Sequence, residues 1–320
     1  MASERRLPFA GQVMTVVGPV NPDLLDVVDA HSHVWIADLK DVPPGSPSLT
    51  ERGPILAELI EFREAGGRAI VECQPGGCGR DARQLLQLSW ESKVQLIAST
   101  GFHRSIYYPP HWWLWEAGVD EIARYFKDEI QQGLKETRDL PEPARAGLMK
   151  CACETTVRAT PQPALEAIAQ VAAELGVCVQ VHTEKGADAE AILDFFVRRS
   201  VRPAQLVLCH MDKAPDLGLH RNLASAGVLL EYDTFFRPKY APDRHVWPLI
   251  EQMVSHALHR SIALATDMAD SSMWKHLGGG PGLLGFARGI RTRLEEMRLS
   301  ADAIRMLMGR NIANRLAGVA

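Results

Sequence analysis

The sequence predicts a single-domain α/β fold, a (β/α)8 or TIM barrel, and three observations carry that expectation. The chain has 320 residues, 46% of them apolar and 23% charged, which is enough to bury one barrel-sized core. Eight short β-rich runs recur along it, each followed by a polar or Gly/Pro turn and then a helical pattern. The runs are nearly continuous in apolar residues, as expected of a parallel sheet covered on both faces. Eight such units in about 250 residues match the size of a closed barrel. A doubly wound sheet is the competing architecture, but no Gly-rich phosphate turn follows the first run.

In chain order the predicted strands are 27–35, 69–74, 95–102, 147–154, 177–184, 206–212, 227–234 and 262–268. Amphipathic helical patterns between them include 55–64, 81–91, 163–175, 188–199 and 246–259. No low-complexity block, like-charge run or long Gly/Ser linker divides the chain. Residues 1–26 therefore read as an N-terminal extension and 27–320 as the barrel domain, closed by helices after Arg291.

Charge and run length exclude several partners. The balance is 35 basic against 39 acidic residues, net −4, with none of the basic footprint that nucleic-acid binding leaves. No stretch approaches the roughly 18 apolar residues of a spanning helix. Pro8, Gly11, Gln12 and Gly18 interrupt the N-terminal run, which argues against a signal peptide. The cysteines at 73, 78, 151, 153, 178 and 209 lie in apolar segments without zinc-finger spacing. They read as buried thiols of a cytoplasmic protein.

The informative residues are polar ones that interrupt apolar strands near their ends, where a barrel carries its chemistry. In the first strand His31 and His33 are two apart and so share the interior face. Two such imidazoles suit a divalent cation of the zinc, manganese or cobalt type. In the fourth, Lys150 sits among apolar neighbours, an unfavourable place unless the lysine is paired or modified. Burial favours its neutral amine, which can react with carbon dioxide to give a carbamate. His182 and His210 end the fifth and sixth runs, and Asp267 ends the eighth. Each has an ordinary alternative: a satisfied core histidine, a lysine reaching the rim, a helix cap. All five strand-end signals fall at the same end.

Together with the matching segments Asp29–His33, Gly79-Arg80-Asp81, Ser99-Thr100-Gly101-Phe102, Val181-His182-Thr183, His210-Met211-Asp212, Thr266-Asp267 and Gly278-Gly279-Gly280-Pro281-Gly282, this pattern resembles the phosphotriesterase family of the amidohydrolase superfamily. The likeness runs from Thr15 to the final helices. It implies a binuclear centre in which His31, His33 and Asp267 hold the more buried cation and His182 and His210 the more exposed one. Carboxylated Lys150 and a hydroxide would bridge them. The cations would be zinc, with manganese, cobalt or iron as alternatives, and no organic cofactor is required. The implied reaction is attack of the bridging hydroxide on a lactone or ester, with Asp267 as the catalytic proton acceptor. Phosphotriesters and amides are alternative substrates, and a ligand-binding protein with vestigial metals is an alternative role.

Within the resemblance, the loop carrying Arg237, Lys239 and Tyr240 is similar to a phosphate grip of the sugar-lactone-phosphate branch. Asp270 departs from it, standing where that branch carries arginine. The aromatic segment 102–115 reads as a pocket wall through Tyr107 and Tyr108 and as a homodimer contact through Trp112, Trp113 and Trp115. His103 and His111 read as lining or surface residues rather than ligands.

Overall fold

The computed structural model describes residues 9–319; the first eight residues of the expected N-terminal extension, Pro8 among them, lie outside that range. An antiparallel hairpin of β1 (Val13–Thr15) and β2 (Gly18–Val20) comes first. Eight parallel strands follow, adjacent in chain order: β3 (Val28–Ser32), β4 (Ala69–Glu72), β5 (Gln95–Gly101), β6 (Leu148–Cys153), β7 (Val179–Thr183), β8 (Leu206–Leu208), β9 (Leu229–Tyr232) and β10 (Ile262–Leu264). Helices alternate with them: α1 (Arg52–Glu64), α2 (Ala82–Ser92), α3 (Val119–Gln131), α4 (Gln162–Leu175), α5 (Ala189–Val197), α6 (Leu217–Ser225) and α7 (Val246–Ser255). The predicted barrel is the observed fold, with one strand in each predicted run. Among the described residues no helix is long and apolar enough to cross a membrane.

Strand alternation divides the apolar residues between two cores. Val28, Ala30, Ala69, Val71, Ile97, Leu148, Val207, Leu229 and Ala263 fill the barrel interior together with Val13 and the last helix, Asn311–Ala317. Ile70, Leu96, Met149, Val179, Leu208 and Leu264 face the helices. The hairpin closes the barrel at the N-terminal ends of the strands. Its Val16 N–H donates to the Leu96 carbonyl at 2.9 Å, and Met14 packs so closely over Gly147 that a Cβ there would lie 2.3 Å from the Met14 carbonyl oxygen.

The barrel is nearly closed, since no ladder joins β10 to β3. One buried carboxylate stitches the seam: Asp29 accepts from the Thr266 N–H at 3.0 Å and the Thr266 hydroxyl at 2.5 Å. The Asp267 N–H adds a bond to the His31 carbonyl at 2.8 Å. Burial pushes the Asp29 carboxyl up to about 7, against the pull of these hydrogen bonds.

Several ladders stop before their sequence runs do. The run 206–212 holds a strand of three residues, as does 262–268. Beyond these strands His210 (φ 64°) and Asp267 (φ 49°) take left-handed conformations, which lie outside the extended region.

Candidate metal centre

The six residues expected to hold metal converge at the C-terminal mouth of the barrel. The rings of His31 and His33 lie 5.4 Å apart, those of His31 and His210 5.1 Å, and those of His182 and His210 4.6 Å. Asp267 Oδ1 stands 3.6 Å from both His31 Nε2 and His33 Nε2, and these three residues form a compact set of metal-competent atoms. His210 Nε2 faces His182 Nδ1 at 2.9 Å. Lys150 is fully buried, its Nζ 3.3 Å from His31 Nε2 and 3.6 Å from Cys209 Sγ.

What aims these nitrogens is a layer of polar groups outside them. His31 Nδ1 is held by Glu231 Oε1 at 2.8 Å, His33 Nδ1 by Gln74 Oε1 at 2.7 Å, and His210 Nδ1 by Asp233 Oδ2. Each of the three rings is therefore turned so that Nε2 points inward, the arrangement that fixes metal-ligating histidines. His31, His210, Glu231 and Asp233 also cluster closely, but as these two hydrogen-bonded pairs. Asp212 in turn fixes Asp233, accepting from the N–H of Asp233 at 3.0 Å and of Thr234 at 2.8 Å. Glu231, Asp233, Gln74 and Asp212 are missing from the sequence-based site. The rule that found Lys150 would have found Glu231, a carboxylate inside Leu229–Tyr232.

Burial sets the protonation of the cluster. It holds His31 well below the usual imidazole range and His182 at about 3, despite the pull of Glu184 on the latter, so both rings are neutral with a lone pair free to bind a cation. Burial works against ionisation of Asp233, yet His210 and Lys213 bring its carboxyl down to about 2. At Lys150 burial favours the neutral amine, but Cys209, Cys73, Glu231 and Asp267 outweigh it and hold the amine above its ordinary range, on the side of the cation. The Cys209 and Cys73 thiols beside it are themselves pushed well up by burial. Among the described residues no carboxylate oxygen lies within ion-pair distance of Lys150. An unpaired buried amine among inward-facing imidazoles and one carboxylate is a donor set that divalent cations with nitrogen and oxygen preference fit.

A cavity of about 360 Å³ opens above this cluster. His33, His182, His210 and Asp267 line its floor, Gln74, Cys78, His103 and Tyr107 part of its wall, and residues between 36 and 48 most of the remainder. Among the described residues no lysine or arginine lines it. His103 is fixed by the Arg104 N–H, which donates to Nδ1 at 2.7 Å, and His111 lies exposed near Glu116.

The expected substrate-binding residues are scattered. Tyr107 lines the cavity. Tyr108 is buried behind it, its hydroxyl accepting the His103 N–H at 2.9 Å. Arg237 lies against Asp267. Lys239 is exposed, its amine 5.1 Å above the Tyr240 ring, and neither residue lines the cavity. Asp270 is exposed and accepts the Ser272 N–H at 2.8 Å, capping a short turn. Trp112, Trp113 and Trp115 are half-buried against Tyr108, Tyr125 and Phe102.

Comparison with known proteins adds an independent line. The sequence profile of the phosphotriesterase family matches residues 11–286. An uncharacterised protein of Mycoplasma pneumoniae is 30% identical over 245 residues, covering 72% of this chain and 69% of that one. A phospho-furanose lactonase of Mycoplasmopsis synoviae is 27% identical over 272 residues, covering 79% and 75%. The crystal structure of a lactonase from Listeria monocytogenes superposes with a TM-score of 0.85 at 21% identity, covering 96% of this chain and 98% of that one.

Proposed function

The chain belongs to the phosphotriesterase family and is a hydrolase; from that premise we propose that it opens an uncharged lactone, or cleaves an ester, at a centre of two divalent cations. His31, His33 and Asp267 would hold one cation, His182 and His210 the other, and Lys150, as its carbamate, would stand between them. The observation that carries this reading is the convergence of four histidines, one aspartate and an unpaired buried lysine beneath one cavity. Two bound cations supply Lewis acidity, making hydroxide available near neutral pH and polarising the substrate oxygen.

The chain's own residues do the rest. Glu231, Gln74 and Asp233 keep the ring nitrogens oriented before any ligand arrives, so little reorganisation is needed on binding. Asp267, with one oxygen toward the histidines, is placed to accept the proton released as the nucleophile attacks. The cavity wall bears on the substrate. It carries the Asp38 carboxylate and the apolar Ile36, Leu39, Val42, Pro43 and Pro44 but, among the described residues, no lysine or arginine. That suits an uncharged ring with an apolar substituent. Similarity to proteins named phospho-furanose lactonase favours a second reading, a phosphorylated lactone.

One experiment tests both. Protein from metal-supplemented growth is analysed for metal and assayed on a matched pair of phosphorylated and unphosphorylated lactones. Two cations per chain, loss of turnover with chelator and at least tenfold higher kcat/KM on the unphosphorylated member are expected. Tenfold corresponds to about 1.4 kcal/mol of discrimination. One cation or none would overturn the binuclear reading, and preference for the phosphorylated member would establish the second.

A further inference from the structure

Arg237, which the sequence places in a phosphate grip, is occupied otherwise. Its Nη1 donates to the carbonyls of Asp233 at 2.9 Å and Thr266 at 3.0 Å. Its Nη2 donates to the carbonyl of Asp267 and to Asp267 Oδ2 at 3.0 Å. The four N–H bonds of the two terminal nitrogens are thus all engaged by protein acceptors, and a forked grip on a phosphate needs two parallel donors on one edge. The guanidinium is also mostly enclosed, with 16% of the side chain exposed, and lines none of the cavity.

We propose that Arg237 is a positioning residue that locks Asp267, and with it the proton-accepting oxygen, across the barrel mouth. The proposal rests on the hydrolase reading above for its effect on catalysis. Asp267 is a non-glycine residue at φ 49°, a conformation that persists only where the surroundings over-determine it. Two contacts do so: the Asp267 N–H is fixed by the His31 carbonyl at 2.8 Å, and the Asp267 carbonyl and Oδ2 by Arg237. The two carboxylate oxygens thereby have different partners. Oδ2 is held by Arg237, which leaves Oδ1 equidistant, at 3.6 Å, from His31 Nε2 and His33 Nε2. Arg237 also ties the end of β9, through the Asp233 carbonyl, to the end of β10, through those of Thr266 and Asp267. Without it the two loops separate and the carboxylate swings.

The test has a catalytic and a metal-free arm. In metal-reconstituted protein, Arg237→Gln should lower kcat about 100-fold, the loss typical of a reacting group displaced by about an ångström. KM should stay within about threefold, and the loss should be equal on phosphorylated and unphosphorylated lactones. Arg237→Lys should recover part of it. In metal-free protein, Arg237→Gln and Asp267→Ala should each lower Tm, and the double variant should melt higher than the sum of the two single shifts predicts, since the Arg237–Asp267 Oδ2 contact is lost in either single variant. Additive Tm shifts would overturn the proposal. So would unchanged kcat on the unphosphorylated lactone with KM raised more than tenfold on the phosphorylated one, the outcome of a phosphate grip. If Arg237→Gln does not fold, Arg237→Lys is read in the same two arms. If the wild type turns over neither lactone, the hydrolase reading fails while the metal-free cycle still decides whether Arg237 locks Asp267.

Discussion

The floor and the wall of the cavity are built on opposite principles. On the floor, His31, His33 and His210 are buried at strand ends, and the second nitrogen of each ring is held by a buried carboxylate or amide. The wall between residues 36 and 48 is mostly exposed or half-buried. Among the described residues its ties include a backbone pair between Ile36 and Leu49, the Ala37 N–H to the Gly79 carbonyl, and the Ser48 hydroxyl to Asp38 at 2.6 Å. A third segment, the loop after β4, is intermediate. It supplies Gln74 and Cys78 to the cavity, yet buried Arg80 pins it through Glu129, Glu136 and the Ser99 carbonyl. The difference teaches where rigidity is needed. Positions that set reacting geometry are over-determined from the barrel, and positions that meet the variable part of a substrate are left to a loop.

The largest expected effect is on the floor. Lys150→Met should reduce bound metal below one ion per chain and lower turnover by at least about 1000-fold. Metal-free Tm should be unchanged or higher, because the replaced amine is buried without a carboxylate partner. Elemental analysis, kinetics and melting curves read the three outcomes, and full activity would break the contrast. Next is the pinned loop. Glu129→Gln leaves buried Arg80 partly unpaired and should lower stability by about 3–5 kcal/mol. Burial opposes ionisation of Glu129, but Arg80 and its hydrogen bonds hold the carboxyl below its ordinary 4.5. Its stabilisation is therefore full above that pH and lost as pH falls through the folded value. The Tm gap between wild type and variant should be widest at neutral pH and narrow below 4.5. The smallest effect belongs to the free wall. Asp38→Asn should lower KM for an anionic lactone only about two- to fivefold and leave kcat and metal content unchanged. A loss of metal would show that floor and wall are coupled.

Much of the floor was legible in the chain because two simple rules converge there. A period of two assigns His31 and His33 to one face, and a polar residue in an apolar strand is conspicuous, as Lys150 is within Leu148–Cys153. Strand ends were read too long at 206–212 and 262–268, because nothing in the residue types announces that His210 and Asp267 leave the extended path at positive φ. Glu231, a carboxylate within the buried strand Leu229–Tyr232, lay within the same rule. Arg237 shows a different limit. Its charge and its neighbours Lys239 and Tyr240 describe a grip, but what a guanidinium grips depends on the carbonyls that fold around it.

By itself, then, the sequence determined the barrel and which polar residues stand in or just beyond its apolar strands. Those depend on periodicity and on the unfavourable burial of polar groups, which are local and additive along the chain. Tertiary structure alone decided the rest: which carboxylate aims which imidazole, how Asp29 and Asp267 stitch β10 to β3, and which residues wall the cavity. These are contacts between residues up to 237 positions apart. Hydrogen bonds act over about 3 Å, so only the closed barrel brings such partners within reach.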